Sequence, residues 1–274
     1  MIDLHTHSTV SDGSDAPEAI PGLAAAAGCT AVALTDHDRL DGIDAARTAA
    51  AATGVELVPG CELSCEIDHG TMHVLVYFVE PGEGPLQDEL VRLQRVRDRR
   101  NVIMCERLDL SYDDLQAEAG GIGAGRPHAA ALLVRAGRAE SIQDAFDRWL
   151  AKGRPGYVEK ERLTPVDALS LARASGGVPV LAHPLTLDVS SATLESRVHE
   201  LARLGLGGLE AIYARYSPET RAALVAMARR AGLAVTGGSD HHGTYKPGLS
   251  VGAGTGDLAV PDDLLDRLRD RIAA

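Results

Sequence analysis

Short apolar runs alternate with segments whose apolar residues recur every three to four positions through most of the chain. Ile2–Leu4, Ala31–Thr35, Val55–Pro59, Val74–Val79, Val178–Ala182, Leu209–Tyr213, Ala234–Gly237 and Ser250–Ala253 have the length and composition of buried strands. Between them, Pro17–Ala27, Gly42–Ala52, Pro165–Ala174, Leu194–Leu204 and Pro218–Ala231 carry the spacing of amphipathic helices. Thr164-Pro165-Val166-Asp167 and Ser217-Pro218-Glu219 read as N-caps followed by proline at the first helical position, where its missing N–H costs nothing. Gly28, Gly54, Gly176 and Gly232 fall where C-terminal caps belong. Alternation of this kind with short links predicts a parallel sheet, either open or closed as a barrel.

One stretch departs from the rhythm. From Gly84 to Arg162 no strand pattern stands out, while Leu86, Leu90, Leu93 and Val96 form one helical stripe. Ala129–Ala136 and Ile142–Leu150 read as two more helices. The pattern predicts a helical insertion over residues 84–162, capping a barrel built from residues 1–83 and 163–274. The alternative is a run of ordinary barrel helices with one strand hidden among them.

Composition narrows the function classes. The 274 residues are 45% apolar and 24% charged, enough for a large core. Acidic residues outnumber basic ones by 39 to 27. The chain therefore lacks the excess of Lys and Arg that grips long duplex nucleic acid by phosphate neutralisation. Two phenylalanines, six tyrosines and one tryptophan are too few for an extended base-stacking platform. No window of 18 consecutive apolar residues and no signal-peptide pattern is present, so no membrane partner is expected. Four cysteines (Cys29, Cys61, Cys65, Cys105) without a CxxC spacing suit reduced thiols in a cytoplasm.

The chemistry lies in the ten histidines. His5 and His7 follow the first predicted strand, with Asp12 a few residues on, and His37 follows the second. Glu62 follows the third, His183 follows Val178–Ala182, and Asp240 and His242 follow Ala234–Gly237. Loops after the C-terminal ends of parallel strands converge on one face, which is where such folds build active sites. His73 precedes its strand. A hairpin turning at Asp68-His69-Gly70 would start that strand at the same face and bring His73 to the others. Imidazoles mixed with carboxylates suit zinc, manganese or iron, whereas calcium and magnesium prefer oxygen alone. His69 and His199 read as ordinary surface residues.

These positions, His5-Thr6-His7, Ser11-Asp12-Gly13, Thr35-Asp36-His37, Glu62, His73, Ala182-His183-Pro184 and Gly238-Ser239-Asp240 with His242-Gly243, resemble the motifs of the polymerase and histidinol phosphatase (PHP) family of metal-dependent phosphoesterases. The resemblance runs across both ends of the chain, its dispersed motifs matching in order. It implies a distorted TIM-like (β/α)7 barrel with an inserted small helical cap domain and two or three divalent ions (Mn, Fe or Zn). One ion would take His5, His7, Glu62 and Asp240. A second would take Glu62, His73 and His183, and a third Asp12, His37 and His242. His241 occupies a variable position of the last motif and receives no ligand role. Asp36 and Asp38 are candidate partners of the histidines.

Asp12 stands where histidinol-phosphatase-like members tend to carry histidine. The resemblance is therefore to the branch of 3′,5′-nucleoside bisphosphate phosphatases and 5′-to-3′ RNA-trimming enzymes. Arg126-Pro127-His128 resembles that branch's phosphate-gripping motif, and Phe146 with Trp149–Pro155 resembles the segment closing its cap. Arg126 and His128, with Lys152 or Arg154, would hold one phosphate at a helix N-terminus. Glu62, Asp240 and His242 would serve catalysis at the ions, where a bridging hydroxide attacks phosphorus. The expected reaction removes the 3′-phosphate from a 3′,5′-bisphosphonucleotide. The alternatives are trimming of short 5′-phosphorylated RNA, hydrolysis of another small phosphoester or of another bond such as an amide, and a non-catalytic metal-binding module. Tyr213 and Tyr216 could pack or touch a base. The arginines 92, 95, 97, 99, 100 and 107 read as a solvated helix face from which one or two could steer polyanions.

Overall fold

The computed structural model describes residues 1–120 and 122–272. Seven strands, β1 (Ile2–Asp3), β2 (Ala31–Leu34), β3 (Glu56–Cys65), β4 (Met72–Tyr77), β5 (Val178–Leu181), β6 (Gly208–Tyr213) and β7 (Ala234–Gly238), lie side by side in chain order. All neighbours are parallel except β4, which runs against both β3 and β5. The sheet nearly closes into a barrel. Leu4 N–H donates to Gly237 O at 3.0 Å, Asp240 N–H to His5 O at 2.8 Å and His7 N–H to His241 O at 2.9 Å. Gly238 permits that seam, because a Cβ there would come within 2.5 Å of the His5 backbone nitrogen.

Alternation along the strands divides the apolar residues between two cores. Val32, Leu34, Leu63, Val74 and Val76 pack outward against helices α1 (Ala19–Ala26) and α2 (Ile43–Thr53) and their neighbours. Ile2, Leu4, Ala31, Ala33, Leu75 and Val180 form a second cluster. The outer layer continues, after the inserted helices, with α7 (Pro165–Ala174), α8 (Ser191–Arg203) and α9 (Pro218–Arg230). The two expected N-caps are present: the Thr164 and Ser217 side chains accept from the amides of Asp167 and Thr220. A last helix, α10 (Asp263–Arg269), adds Leu265 and Leu268 to the second cluster.

Between β4 and α7 lie α3 (Pro85–Leu108), α4 (Tyr112–Glu118), α5 (Arg126–Arg135) and α6 (Ile142–Ala145), the last running into a π-helical turn at Phe146–Leu150. Met104, Leu108, Leu115, Leu133 and Leu150 make a core of their own here. The first half of α3 packs elsewhere: Leu86, Leu90 and Leu93 join the barrel's outer cluster. No helix among the described residues is long and apolar enough to cross a membrane.

The hairpin expected at Asp68-His69-Gly70 is present and makes β4 the one reversed strand of the sheet. One sequence expectation needs correction. Ser250–Ala253 is no strand but a tight turn closed by Gly254 N–H donating to Ser250 O at 2.8 Å. Gly252, with φ +74°, takes part in that turn, and its amide donates to the buried Asp3 carboxylate at 2.7 Å. The helices α4 and α10 were not anticipated.

Gly238→Ala is expected to lower the denaturation midpoint markedly, since backbone rather than a flexible side chain occupies the added methyl's place. An unchanged midpoint in chemical denaturation would contradict a seam packed this tightly.

Candidate metal centre

Segments at or near the ends of β1, β2, β4, β5 and β7 deliver polar side chains to one mouth, and Glu62 joins them from within β3 rather than after it. His5 and His7 sit on the extended segment after β1, where alternation sends both rings inward, and their Nε2 atoms lie 3.1 Å apart. The pairing of β2 with β3 continues beyond the strand as a parallel bridge between His37 and Glu62. The antiparallel hairpin sets His73 opposite Ser64 and returns its ring to the mouth.

Glu62 is the hub. Its Oε2 lies 3.3 Å from His5 Nε2, 3.1 Å from His7 Nε2 and 3.2 Å from His37 Nδ1. Its Oε1 lies 2.8 Å from His73 Nδ1 and 2.9 Å from His183 Nε2. Asp240 Oδ1 approaches His5 and His7 at 3.6 and 3.5 Å. Asp12 completes the far side, 3.3 Å from His242 Nε2 and 3.9 Å from His37 Nε2.

These donors fit divalent ions. Overlapping sets whose ligand atoms lie within 4.8 Å of one another comprise His5, His7 and Glu62; His5, His183 and Asp240; His37, Glu62 and His73; and His7, Asp12, His37 and His242. The Nδ1 atoms of His37 and His73 are buried without a hydrogen-bond partner although each faces Glu62. A buried ring nitrogen that approaches a carboxylate without hydrogen-bond geometry suits a lone pair sharing a cation with it.

Burial and charge set the protonation states. Burial lowers the pKa of His7 and of His73, and takes His37 down to about 3, which leaves neutral imidazoles with free lone pairs. For His5, burial opposes charging, but Glu210, Glu62 and Asp240 outweigh it and raise the pKa well above the usual value. Burial likewise opposes ionisation of Glu62, Asp12 and Asp240. Glu62 is held well below the ordinary range by His37, His73 and His5, Asp12 by His242 and His37, and Asp240 by Lys246, His5 and His242.

Several buried residues orient this set, and the sequence reading named few of them. Glu210 takes His5 Nδ1 at 2.8 Å with one oxygen and the His183 amide at 2.7 Å with the other. Asp3 accepts from the amides of His5, Ser239 and Gly252 and so ties both sides of the barrel seam together. Tyr213 donates to Asp240 Oδ2 at 2.7 Å, and Lys246 pairs with the same oxygen. That leaves Oδ1 facing the histidines. Asp36 accepts from Ser8 and Ser11, and Asp38 pairs with Lys160 and Arg97. Neither of these aspartates hydrogen-bonds a histidine directly, but Asp36 reaches His7 through the Ser11 hydroxyl, which lies 3.4 Å from His7 Nδ1. The signal for Asp3 and Glu210 was available, because each is a lone acid within an otherwise apolar strand.

A cleft of about 230 Å³ joins the cluster to the helical segment. Asp12, His37 and His73 line one side, while Arg97, Arg100, Arg126, Lys160 and Arg162 supply positive charge on the other. Three of these cations have carboxylate partners: Arg97 and Lys160 meet Asp38, and Arg162 meets Glu159. Arg100 is 7% exposed, yet its hydrogen bond goes to the Val158 carbonyl. Arg126, at the N-terminus of α5, reaches the Leu150 carbonyl at 3.5 Å and stands 5.6 Å over the Phe146 ring. Burial pulls both guanidiniums below their usual pKa, and neither has a carboxylate partner among the described residues.

The nine expected ligand residues thus meet at one mouth, and Arg126 opens toward it. His128 does other work: its Nδ1 accepts from the Gly125 amide at 3.1 Å and caps α5, and its ring meets Tyr245 edge-on. Lys152 and Arg154 are exposed and do not line the cleft. The turn that carries them closes on itself through Arg154 N–H to Ala151 O and Gly156 N–H to Trp149 O, which leaves both side chains in solvent. Lys160 and Arg162 line the cleft in their stead. Of the six arginines between 92 and 107, Arg97 and Arg100 line the cleft. His69 and His199 are exposed, and His241 bonds Asp15 and Leu249 away from the cluster.

Comparison with known proteins agrees with this geometry. Residues 3–159 match the model of the PHP domain. The chain is 32% identical over 249 residues to a 5′-3′ exoribonuclease Rnm of Salmonella typhimurium, covering 88% of this chain and 85% of that one. It is 30% identical over 257 residues to a 3′,5′-nucleoside bisphosphate phosphatase of Chromobacterium violaceum, with 92% and 90% covered. A solved structure of a candidate metal-dependent phosphoesterase from Bifidobacterium adolescentis superposes with a TM-score of 0.87 at 29% identity, over 98% of this chain and 96% of that one.

Two substitutions test the hub and its support. Glu62→Ala is expected to lose bound transition metal and phosphoester hydrolysis together, read by elemental analysis and an aryl phosphate assay. Glu210→Ala should weaken metal affinity about 10- to 100-fold through His5 and His183. Unaltered affinity in a chelator competition would show that Glu210 does not orient them.

Proposed function

The chain belongs to the PHP-domain family of metal-dependent phosphoesterases, and we propose that it removes the 3′-phosphate from 3′,5′-bisphosphonucleotides. The observation that carries this reading is the pair Arg100 and Arg126. Two guanidiniums without carboxylate partners, in a cleft that also contains Asp12, His37 and His73, call for an anion placed beside the metal centre. A guanidinium stays protonated even when buried, so its compensation must come from a bound anion.

The substrate's 5′-phosphate is held by Arg100 and Arg126 at the N-terminus of α5, where free amides and the helix dipole add to the attraction. The ester to be broken then lies over Glu62 and its histidines, so the two ends of the cleft select substrates by the separation of their phosphates. Two or three Mn, Fe or Zn ions held by the nine ligand residues would supply positive charge to the phosphoryl oxygens and acidify the attacking water. Glu210, Tyr213 and Lys246 keep the ligands aimed, and Asp38 holds Lys160 and Arg97 at the cleft wall. The four cysteines are buried and unbridged, which suits a reducing compartment, and the cytoplasm is the location proposed.

A second reading uses the same anchor for the 5′-monophosphate of a short RNA, with hydrolysis at the next diester. The similarity to the Salmonella exoribonuclease favours it beside the first. Both readings make the cleft a phosphate anchor. In both, the 3′-oxygen of the anchored nucleotide leaves; they differ in the phosphoryl group that water takes, a free phosphate in one and a phosphate esterified to the next nucleotide in the other.

Arg126→Ala and Arg100→Met are each expected to reduce kcat/KM on a bisphosphonucleotide at least tenfold, while hydrolysis of an aryl phosphate changes less than twofold. Steady-state assays on both substrates decide the matter. Equal losses on the two would remove the anchor.

A further inference from the structure

Two further depressions lie outside the cleft, and their charge separates them. One, of about 690 Å³, sits on the outer side of Lys160 and Arg162, between the start of α7 and α8. Glu66, Asp68, Glu159 and Glu200 outnumber its three cations, so a second stretch of polyanion is unwelcome there. The other, of about 590 Å³, lies over the loops that follow β6 and β7, lined by Arg215, Tyr216, Pro247, Gly248, Thr255 and Asp257 among others.

Strand order places this second depression on the β6–β7 side of the mouth, whereas α3 and Lys160 meet the barrel at Asp38 and Ser64, after β2 and in β3. The helical segment also reaches the loop after β7, where Tyr245 meets His128 and Glu118. Its acid is already neutralised: Arg221 grips both oxygens of Asp257 at 3.1 Å. Arg215 is exposed and has no carboxylate partner among the described residues. Tyr216 accepts from the Leu185 amide at 2.9 Å, which fixes its hydroxyl. Its ring meets Tyr213 edge-on at 4.8 Å, and Tyr213 donates to Asp240. The depression therefore begins one ring away from a ligand of the metal centre.

We propose that this depression binds the nucleotide on the 3′ side of the scissile bond in a short 5′-phosphorylated RNA. It rests on the second reading, hydrolysis of a short RNA held by the same phosphate anchor. With the 5′-phosphate beneath the helical segment and the next phosphate at Glu62, the chain leaves toward β6 and β7. Arg215 meets the following phosphate, and Tyr216 with Pro247 and Leu249 offers an apolar face to the base. Stacking on such a face tolerates every base, so the subsite selects for chain length and not for sequence.

The test uses the manganese-loaded enzyme and two substrates, a 5′-phosphorylated penta-adenylate and a 3′,5′-bisphosphonucleotide. Arg215→Glu is expected to raise KM for the pentanucleotide at least tenfold and to keep bisphosphonucleotide turnover within twofold, with Arg215→Lys recovering most of the loss. Equal KM values for Arg215→Glu and the unaltered enzyme on the pentanucleotide would overturn the subsite, as would an equal rise on both substrates. An unaltered enzyme that cleaves the bisphosphonucleotide and ignores the pentanucleotide would also overturn it while sparing the phosphatase reading. Failure on both substrates would sink the two readings together.

Discussion

One buried carboxylate organises this molecule. Glu62 stands within 3.3 Å of five imidazoles contributed by four separate segments, and it is 1% exposed. A lone acid so placed would pay a heavy desolvation cost, and five rings crowded around it cannot all donate to two oxygens. Sharing divalent ions among these donors resolves both problems, because charge then compensates charge and every lone pair finds a partner. The orphaned Nδ1 atoms of His37 and His73 follow from the same constraint.

The rest of the fold can be understood as the means of holding that convergence. Barrel closure sets β7 against β1, so that Asp240 reaches His5 and His7. Asp3 pins the seam from within, and Glu210 fixes two ligands at once. His183 and Asp240 adopt positive φ at the ends of β5 and β7, as does Asp38 just beyond β2. Strained backbone of this kind persists where surrounding contacts over-determine it, and here those contacts serve the site. Positive charge is distributed unevenly: Asp38 pairs with both Arg97 and Lys160, whereas Arg100 and Arg126 have no carboxylate partner among the described residues.

Much of this was legible in the sequence, for physical reasons that differ by element. The post-strand position of His5, His7, His37, His183, Asp240 and His242 required only that strands be recognised and that parallel connections share a face. His73 required the hairpin, which Asp68-His69-Gly70 signalled through turn chemistry. Ser250–Ala253 misled because its apolar residues serve burial under a turn, and two glycines at positive φ override the strand pattern. The cationic residues of the cleft were harder. Arg100 lies in a run of arginines that is mostly solvated, and periodicity alone does not separate it from Arg99. Lys152 and Arg154 drew attention through proximity to a motif, yet an irregular strap has no period from which to infer which side chain turns inward. Lys160 and Arg162, a few residues on, take that direction because Leu163 pairs with the end of β3.

The central claim is that Glu62 bridges ions gathered by the surrounding histidines. Crystals of the protein grown with manganese and measured at the manganese absorption edge test it most directly. The account predicts at least two anomalous peaks flanking the Glu62 carboxylate, each within bonding distance of its imidazole partners. A single peak away from Glu62, or no peak at all in fully ordered crystals, would contradict it.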